Sequence, residues 1–256
     1  ARPGDKFSEL KKVEEAPKRL VRPFPTQIEK KEPLPYLFNN IHYLQPFGVC
    51  DIDTTLCDIV TSRGVMKNIM RYFNTPRDQH HLEDIEYKVD VNADSGHVHI
   101  ESTKEYDMKP SYGHGFEWKM VSRSDLNLYR CLSYTLGEND TTCVKVLLHV
   151  EVDCVNDNES VELKTHDSQY APPILDYWYH LVLGDTRHLI VGAVEGSGHV
   201  RSVSEHNIAD IAPENANVRL NQLAYVLRWV VDNMKGARKG TLKMGKDDSV
   251  MTLTIL

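Results

Sequence analysis

Several features are scarce in this chain, and each absence removes a class of reading. The five cysteines (Cys50, Cys57, Cys131, Cys143, Cys154) are odd in number and include no Cys-x-x-Cys pair. Neither a disulfide framework nor a cysteine-rich zinc site is expected, and a reducing intracellular compartment is favoured. No run approaches the roughly 18 consecutive apolar residues of a membrane span, so no membrane association is expected. No hydrophobic segment of the secretory kind opens the chain, and the lack of an initiator Met suggests trimming. Positive charge is not in excess: the formal net charge of -7 argues against a protein that coats nucleic acid non-specifically. Repeats and low-complexity runs are absent, and 14 Gly and 12 Pro in 256 residues exclude collagen-like and disordered chains.

What is present is unevenly distributed. Nine acidic residues (Glu138, Asp140, Glu151, Asp153, Asp157, Glu159, Glu162, Asp167, Asp176) against Lys145 and Lys164 concentrate the net charge between Gly137 and Asp176. Carboxylates packed together repel one another unless they are solvated or share a cation, so this segment suggests a metal. Residues 1–35 are rich in Lys, Arg, Glu and Pro and predict a surface arm with one short helix around Phe7–Ala16. Residues 36–256 are then the domain that carries the chemistry.

Periodicity supplies the elements. Tyr87, Val89 and Val91 alternate, Asn92–Gly96 turns, and Val98 and Ile100 alternate again, which predicts a hairpin. Strand patterns follow over 128–136, 143–154 and 160–165. Val65–Phe73 reads as a helix, as does Ile174, Tyr177, Trp178, Leu181 behind Pro172 and Pro173, ending near Gly184. Arg187–Val194 with the Gly196-Ser197-Gly198 turn predicts a strand and hairpin. A long amphipathic helix spans about Glu214–Lys235, stopped by Gly236, and Val250, Leu253 and Ile255 mark a last strand. Strands and helices alternate without a regular βαβ rhythm, which predicts a mixed α/β fold, a central mixed β-sheet flanked by helices in a single domain.

The chemistry concentrates in Glu151-Val152-Asp153 and Glu162-Leu163-Lys164. On a strand, Glu151 and Asp153 share one face, as do Glu162 and Lys164, and a hairpin loop over 154–161 would lay the two strands side by side. Three carboxylates and a lysine then converge. Oxygen-rich clusters of this kind suit Mg²⁺ or Mn²⁺, and the lysine can orient or deprotonate a water or stabilise a phosphoryl group. Glu-x-Lys also occurs on solvated strands as an ordinary ion pair. Here the flanking Val146–Val150, Val152, Val155, Val161 and Leu163 are apolar, so the strands are central, and buried unpaired carboxylates would cost of the order of several kcal/mol each. An Asp, about ten residues, then Glu-x-Lys is the arrangement of PD-(D/E)xK nucleases.

Two further segments add to it. Gly113-His114-Gly115-Phe116-Glu117 places an acid at the end of a Gly-rich turn entering a helix, and Glu117 there could simply complement the helix dipole. Arg63-Gly64 precedes the Val65–Phe73 helix, where an arginine can grip a phosphate bidentately or be a surface cation. Taken in order, Arg63-Gly64, Gly113–Glu117, Glu151-Val152-Asp153 and Glu162-Leu163-Lys164 resemble the motifs of the DXO family of RNA 5′-end decapping enzymes and exoribonucleases. In that family an Arg-Gly is followed by Gly-Φ-x-Φ-Glu, Glu-Φ-Asp and Glu-Φ-Lys, with Φ a large apolar residue. The resemblance covers about Arg63–Gly198 and implies a PD-(D/E)xK-like core.

It also implies roles. Glu117, Asp153 and Glu162 would bind Mg²⁺ or Mn²⁺ directly, the Leu163 carbonyl would add a ligand, and Glu151 would act through water. Lys164 would contact the scissile phosphate or attacking water, and Arg63 would hold the RNA 5′ phosphate. The implied activity is metal-dependent hydrolysis of incomplete, non-methylated or NAD-type caps and 5′ pyrophosphate, with 5′ to 3′ exonucleolysis. The implied partners are capped, triphosphate or monophosphate RNA ends and a 5′ to 3′ exoribonuclease, in the nucleus or cytoplasm. The chain departs from the family at His114, at Gly192-Ala193-Val194 where Gly-Phe-Arg is common, and at His180, the counterpart of a substrate-holding glutamine. A histidine there would titrate near neutrality beside the substrate. The alternatives are a PD-(D/E)xK nuclease acting on DNA and an RNA 5′-end binding or scaffold protein without turnover. His97-Val98-His99 puts two imidazoles on one strand face without an identifiable third zinc ligand, and His80-His81 read as loop surface.

Overall fold

A computed structural model describes residues 18–33, 57–74, 85–103, 109–122, 128–139, 141–157, 159–245 and 251–256. The short helix expected over Phe7–Ala16 and the His80-His81 loop lie outside the described residues. Among the described residues, eleven strands divide between two sheets. The larger has the order β11-β10-β2-β3-β1-β5-β4, and the smaller β6-β7-β8-β9. In the larger sheet β1 (Ile59–Ser62) runs parallel to both β3 (Val98–Ser102) and β5 (Val144–Val152). β2 (Ile85–Val91), β4 (Leu128–Leu136), β10 (Lys239–Met244) and β11 (Met251–Ile255) join antiparallel. In the smaller sheet β7 (Glu159–Asp167) and β8 (His188–Val194) are parallel, flanked by antiparallel β6 (Cys154–Asn156) and β9 (Val200–Asn207). The fold is mixed α/β in one domain, as expected, with the strands divided over two sheets.

The strand pattern expected over 143–154 spans both sheets, because the chain leaves the large sheet at Val152 and enters the small one at Cys154. Residues 154–161 are therefore not a loop joining the two motif strands. They hold β6 and the start of β7, and the hairpin turns at Asp157, whose φ is 49°.

Three helices cover one face of the large sheet: α1 (Arg63–Asn74), α3 (Ile174–Leu183) and α5 (Ala216–Asn233). Their apolar stripes, including Met66, Ile69, Leu223, Leu227 and Val230, bury against Ile59, Val89, Ile100, Val146, Leu148 and Val150. Burying each such side chain contributes about 1.5–3 kcal/mol. α3 lies between the sheets, which explains its nearly all-round burial. Trp178 and Tyr179 join the large core, whereas Tyr177 and Leu181 pack on Leu189 and Val191 of β8. The short helix α4 (Ile208–Ile211) follows β9 directly, capped by Asn207.

A second core lies across the small sheet, where Cys154, Val161, Leu163 and Ile190 meet Phe116 and Met120 of α2 (Tyr112–Met120) and Ile28 of the arm. The described arm lies along this layer through isolated bridges, Arg19 with Val155, Leu20 with Val121, Gln27 with His199 and Lys31 with Ser111. It passes so close to α2 that a Cβ at Gly115 would stand 1.7 Å from the Glu29 carbonyl oxygen. That contact explains the second glycine of the Gly113–Glu117 segment. No helix of the described residues is long and apolar enough to cross a membrane.

Candidate active site

The seam between the two sheets collects the charged residues that the sequence singles out. Asp153 stands at the break between β5 and β6, where its Oδ2 accepts the Leu163 N–H at 2.7 Å. This bond explains the break: the carboxylate satisfies a β7 donor that a continued ladder would otherwise engage. Glu151 and Asp153 thus reach the same site from the end of one sheet rather than from one face of a single strand.

Glu162, on β7, is 1% exposed and enclosed by cations. Arg63 Nη1, from the first residue of α1, donates to its Oε2 at 2.7 Å, and Lys164 Nζ lies 2.6 Å from Oε1. Burial works to raise the Glu162 carboxyl, yet Arg63, Lys164 and His180 together hold it well below its ordinary value. Lys164 also lies 3.5 Å from Asp153 Oδ2 and donates to the Leu163 carbonyl at 3.1 Å. Burial works against its charge, but Asp153, Glu162 and Glu117 more than offset this and keep it protonated.

Glu117 does not start its helix. α2 begins after the Ser111 cap, which accepts the His114 N–H at 3.2 Å, and places Glu117 near its other end. A dipole role is thereby removed, since a carboxylate near a helix C-terminus is unfavourable. Burial, then Asp153 and Glu151, push the Glu117 carboxyl up to about 8. Burial and Asp153 push Glu151 up to about 6, and burial and Glu162 likewise raise Asp153. Glu162 Oε1 is a buried oxygen whose close partner is the Lys164 ammonium. Among the described residues, no three His, Cys, Asp or Glu side chains are gathered closely enough to hold one ion.

His180 faces Glu162, with Nδ1 3.2 Å from Oε1. Its Nε2 lies 2.9 Å from Lys67 Nζ. The expectation of a group titrating near neutrality fails: burial, helped by Lys164 and Arg63, pushes the imidazole down to about 3. A neutral ring accepts the Lys67 proton at Nε2 and keeps its own proton on Nδ1, toward the carboxylate.

Three cations escaped the sequence reading. Lys67 falls one turn after Arg63, and it pairs with Asp176 at 3.5 Å, one turn before His180; these i, i+4 spacings were a usable signal. Arg130 reaches the Gly184 carbonyl and Thr186 from β4. Lys18 is 6% exposed, and its charge lowers the carboxyls of Glu117 and Glu151. Nothing in the charge-rich arm distinguished it from its neighbours.

No protein-family model matches the chain, and no curated protein does. Solved structures do. S. pombe Rai1 has a TM-score of 0.68 at 19% identity, the match covering 100% of this chain and 85% of that one. K. lactis Dxo1 in complex with manganese has a TM-score of 0.63 at 14% identity, covering 80% and 66%. Candida albicans Rai1 in complex with pU5-Mn²⁺ has 0.58 at 17%, covering 78% and 69%. With four ordered motifs meeting at one seam, the chain has the fold of the Rai1 and Dxo1 proteins.

Proposed function

We propose that the protein is a divalent-metal-dependent hydrolase of RNA 5′ ends, acting on incomplete, non-methylated or NAD-type caps and on 5′ pyrophosphate. The observation that carries this reading is the seam itself, where Asp153, Glu162, Glu117 and Glu151 are buried together with Arg63 and Lys164. Carboxylates raised by burial and by one another fit a hard cation bound through oxygen. Support from elsewhere comes from the shared fold, since the K. lactis Dxo1 and C. albicans Rai1 structures carry manganese and the latter pU5.

Glu117, Asp153, Glu162 and the Leu163 carbonyl would hold Mg²⁺ or Mn²⁺, with Glu151 reaching it through water. Bound there, the cation supplies Lewis acidity to the phosphate and acidifies the attacking water. The protein's own groups do the rest. Lys164, kept protonated, acts as a donor to the phosphate rather than as a base. Glu151, raised to about 6, ionises close enough to neutrality to take the water's proton. Arg63 turns its fork from Glu162 to the 5′ phosphate, and neutral His180 donates from Nδ1 where a glutamine would use its amide. The same reading carries 5′ to 3′ exonucleolysis, a partner exoribonuclease, and a nuclear or cytoplasmic site of action.

The test is a panel of 5′-labelled RNAs, each with one type of 5′ end, incubated with Mg²⁺ or Mn²⁺ beside a single-stranded DNA of the same sequence. Metal-dependent release of the RNA label is expected, with its loss in Asp153→Asn/Glu162→Gln. Release in chelator, or equal release by the double variant, overturns the proposal. Preferential cleavage of DNA points to a DNA nuclease, and tight binding without release to a scaffold.

A further inference from the structure

Lys67 is a cation that the proposed function leaves idle. On α1 it stands one turn after Arg63 and one turn before Arg71, so the three share a helix face. From α3, Asp176 and His180, themselves one turn apart, meet it. Lys67 Nζ lies 2.9 Å from His180 Nε2 and 3.5 Å from Asp176 Oδ2, while Arg71 Nε lies 3.2 Å from Asp176 Oδ1. The Lys67 and His180 side chains are each 17% exposed, so water competes little for either. Burial works against the Lys67 charge, and Asp176 opposes that cost.

The other ring nitrogen of His180, Nδ1, points into the seam, 3.2 Å from Glu162 Oε1. Burial keeps the imidazole neutral, so it carries one proton and must place it on one nitrogen or the other. An ammonium has donors and no lone pair. Nε2 beside it therefore accepts, and the ring proton falls on Nδ1. Glu162 favours the same form, but its Oε1 is also engaged by Lys164 at 2.6 Å. Under the proposed function that carboxylate turns to a cation, and Lys67 then remains to hold the proton toward the substrate.

We propose that Lys67 is a positioning residue: anchored by Asp176, it locks His180 in the form protonated on Nδ1 and so makes the ring a fixed hydrogen-bond donor to a phosphate in the seam. The phosphate rests on the 5′-end reading, whereas the locked ring does not. No proton is gained or lost, since the two forms differ only in which nitrogen carries it. With the lysine gone, Nε2 is released to carry the proton, and Nδ1 turns a lone pair toward the phosphate oxygens. A carboxamide at the same place needs no such partner, because it holds a donor and an acceptor together and chooses between them by turning.

The first measurement is nitrogen NMR of the histidine rings in metal-free protein at neutral pH, with the His180 signals assigned by their loss in His180→Gln. It is made in Glu162→Gln, whose amide can face Nδ1 as donor or acceptor and so leaves the choice to Lys67. Glu162→Gln should show His180 protonated on Nδ1. Adding Lys67→Met should move the proton to Nε2, and adding Lys67→Arg should keep it on Nδ1. Asp176 retains Arg71 as its partner in these variants, which preserves the contact between α1 and α3. A proton on Nε2 in Glu162→Gln alone overturns the proposal without any lysine variant, as does one left on Nδ1 by Lys67→Met. The second measurement is hydrolysis of 5′-labelled RNA in saturating Mn²⁺. Lys67→Met should lower kcat/KM at least about tenfold in the otherwise native chain, as loss of an outer partner does, and far less in His180→Gln. Equal losses in both backgrounds overturn the proposal, because a lysine that only supported the fold would act alike in each. Absence of hydrolysis from every chain counts against the 5′-end reading alone, and the NMR result still decides the role of Lys67.

Discussion

The two layers of this protein treat charge in opposite ways. Between the large sheet and helices α1, α3 and α5, the buried residues are uncharged and nearly all apolar, from Ile59 and Leu148 to Leu227 and Val230, with Thr61 satisfied by the Ile100 carbonyl. At the seam beside the small sheet lie all three charged residues classed as buried among the described ones, Lys18, Asp153 and Glu162. Removing ions from water costs several kcal/mol each, and even a well-made buried pair returns about that much rather than a surplus. The large core therefore carries stability, and the seam holds charges that stability does not require. Charges kept there at that cost fit the chemistry proposed for the seam.

The largest effect should come from separating the buried pair. Arg63→Ala leaves Glu162 buried with Lys164 as its close cation, and should lower stability by about 3–5 kcal/mol in metal-free urea titrations. Arg63→Ala/Glu162→Gln should recover most of that loss, because the charge needing a partner is gone. A single-variant loss below about 1 kcal/mol would erase the contrast between the layers. Leu148→Ala, 0% exposed in the large core, should lower stability by about 3 kcal/mol through lost burial and a residual cavity. Its hydrolysis per folded molecule should be unchanged, and the loss should not vary with pH.

The sequence revealed these layers unevenly. Period-two alternation placed β2 and β3, and the apolar stripe with Gly236 placed α5, because each pattern is local and its partner lies within a few residues or on one broad face. The partition into two sheets was not readable, since it turns on Asp153 bonding Leu163 N–H, a side-chain contact that leaves no periodic trace. β10 was missed for a related reason: Lys239–Met244 alternates weakly and takes its place from β2 and β11 on either side. At the site, Asp153, Glu162 and Lys164 were legible because charged residues among apolar strand residues demand an explanation, whereas Arg63 and Glu117, both on helices, stood out only through the order of the four motifs. Lys18 was not, since a lysine among lysines acquires meaning only when the arm lies against β6.

The pH dependence sharpens the comparison at the next level. A carboxyl raised on folding stabilises the protein below its ordinary value and loses that contribution as pH rises through the folded value. Glu117, raised from 4.5 to about 8, and Glu151, raised to about 6, should therefore cost stability as pH climbs from 4.5 to 8. Glu162, held well below 4.5, acts in the opposite sense and loses its contribution as pH falls beneath that value. His180, pushed down to about 3, and His149, pushed down to about 4, lose their contribution as pH falls below 6.5 and so oppose the carboxyls there, which leaves the net decline of the metal-free protein to show between about pH 6.5 and 8. Glu117→Gln should remove much of the alkaline decline, a gain on the order of 2 kcal/mol at pH 8.5 once residual solvent access is allowed for. Added Mn²⁺ should remove the same decline in the wild type. Thermal midpoints from pH 4 to 9, with and without Mn²⁺, check both, and a flat wild-type profile would show that the seam is not strained by its carboxylates.

The smallest effect belongs to an ion pair that the large sheet carries on its surface. Lys243 Nζ on β10 lies 3.0 Å from Glu86 Oε2 on β2, and the two residues face each other in the ladder. Their side chains are 56% and 46% exposed, so water screens the attraction and both side chains lose freedom in making it. Lys243→Met should change stability by less than about 1 kcal/mol, and the change should shrink further in 0.5 M salt. The geometry resembles that of Arg63 and Glu162, at 2.7 Å, so distance alone would rank the two pairs together. Burial separates them, because only the seam pair has surrendered its water. Equal losses in Lys243→Met and Arg63→Ala, measured in one metal-free buffer, would mean that the seam is as wet as the surface and that its carboxylates need no cation.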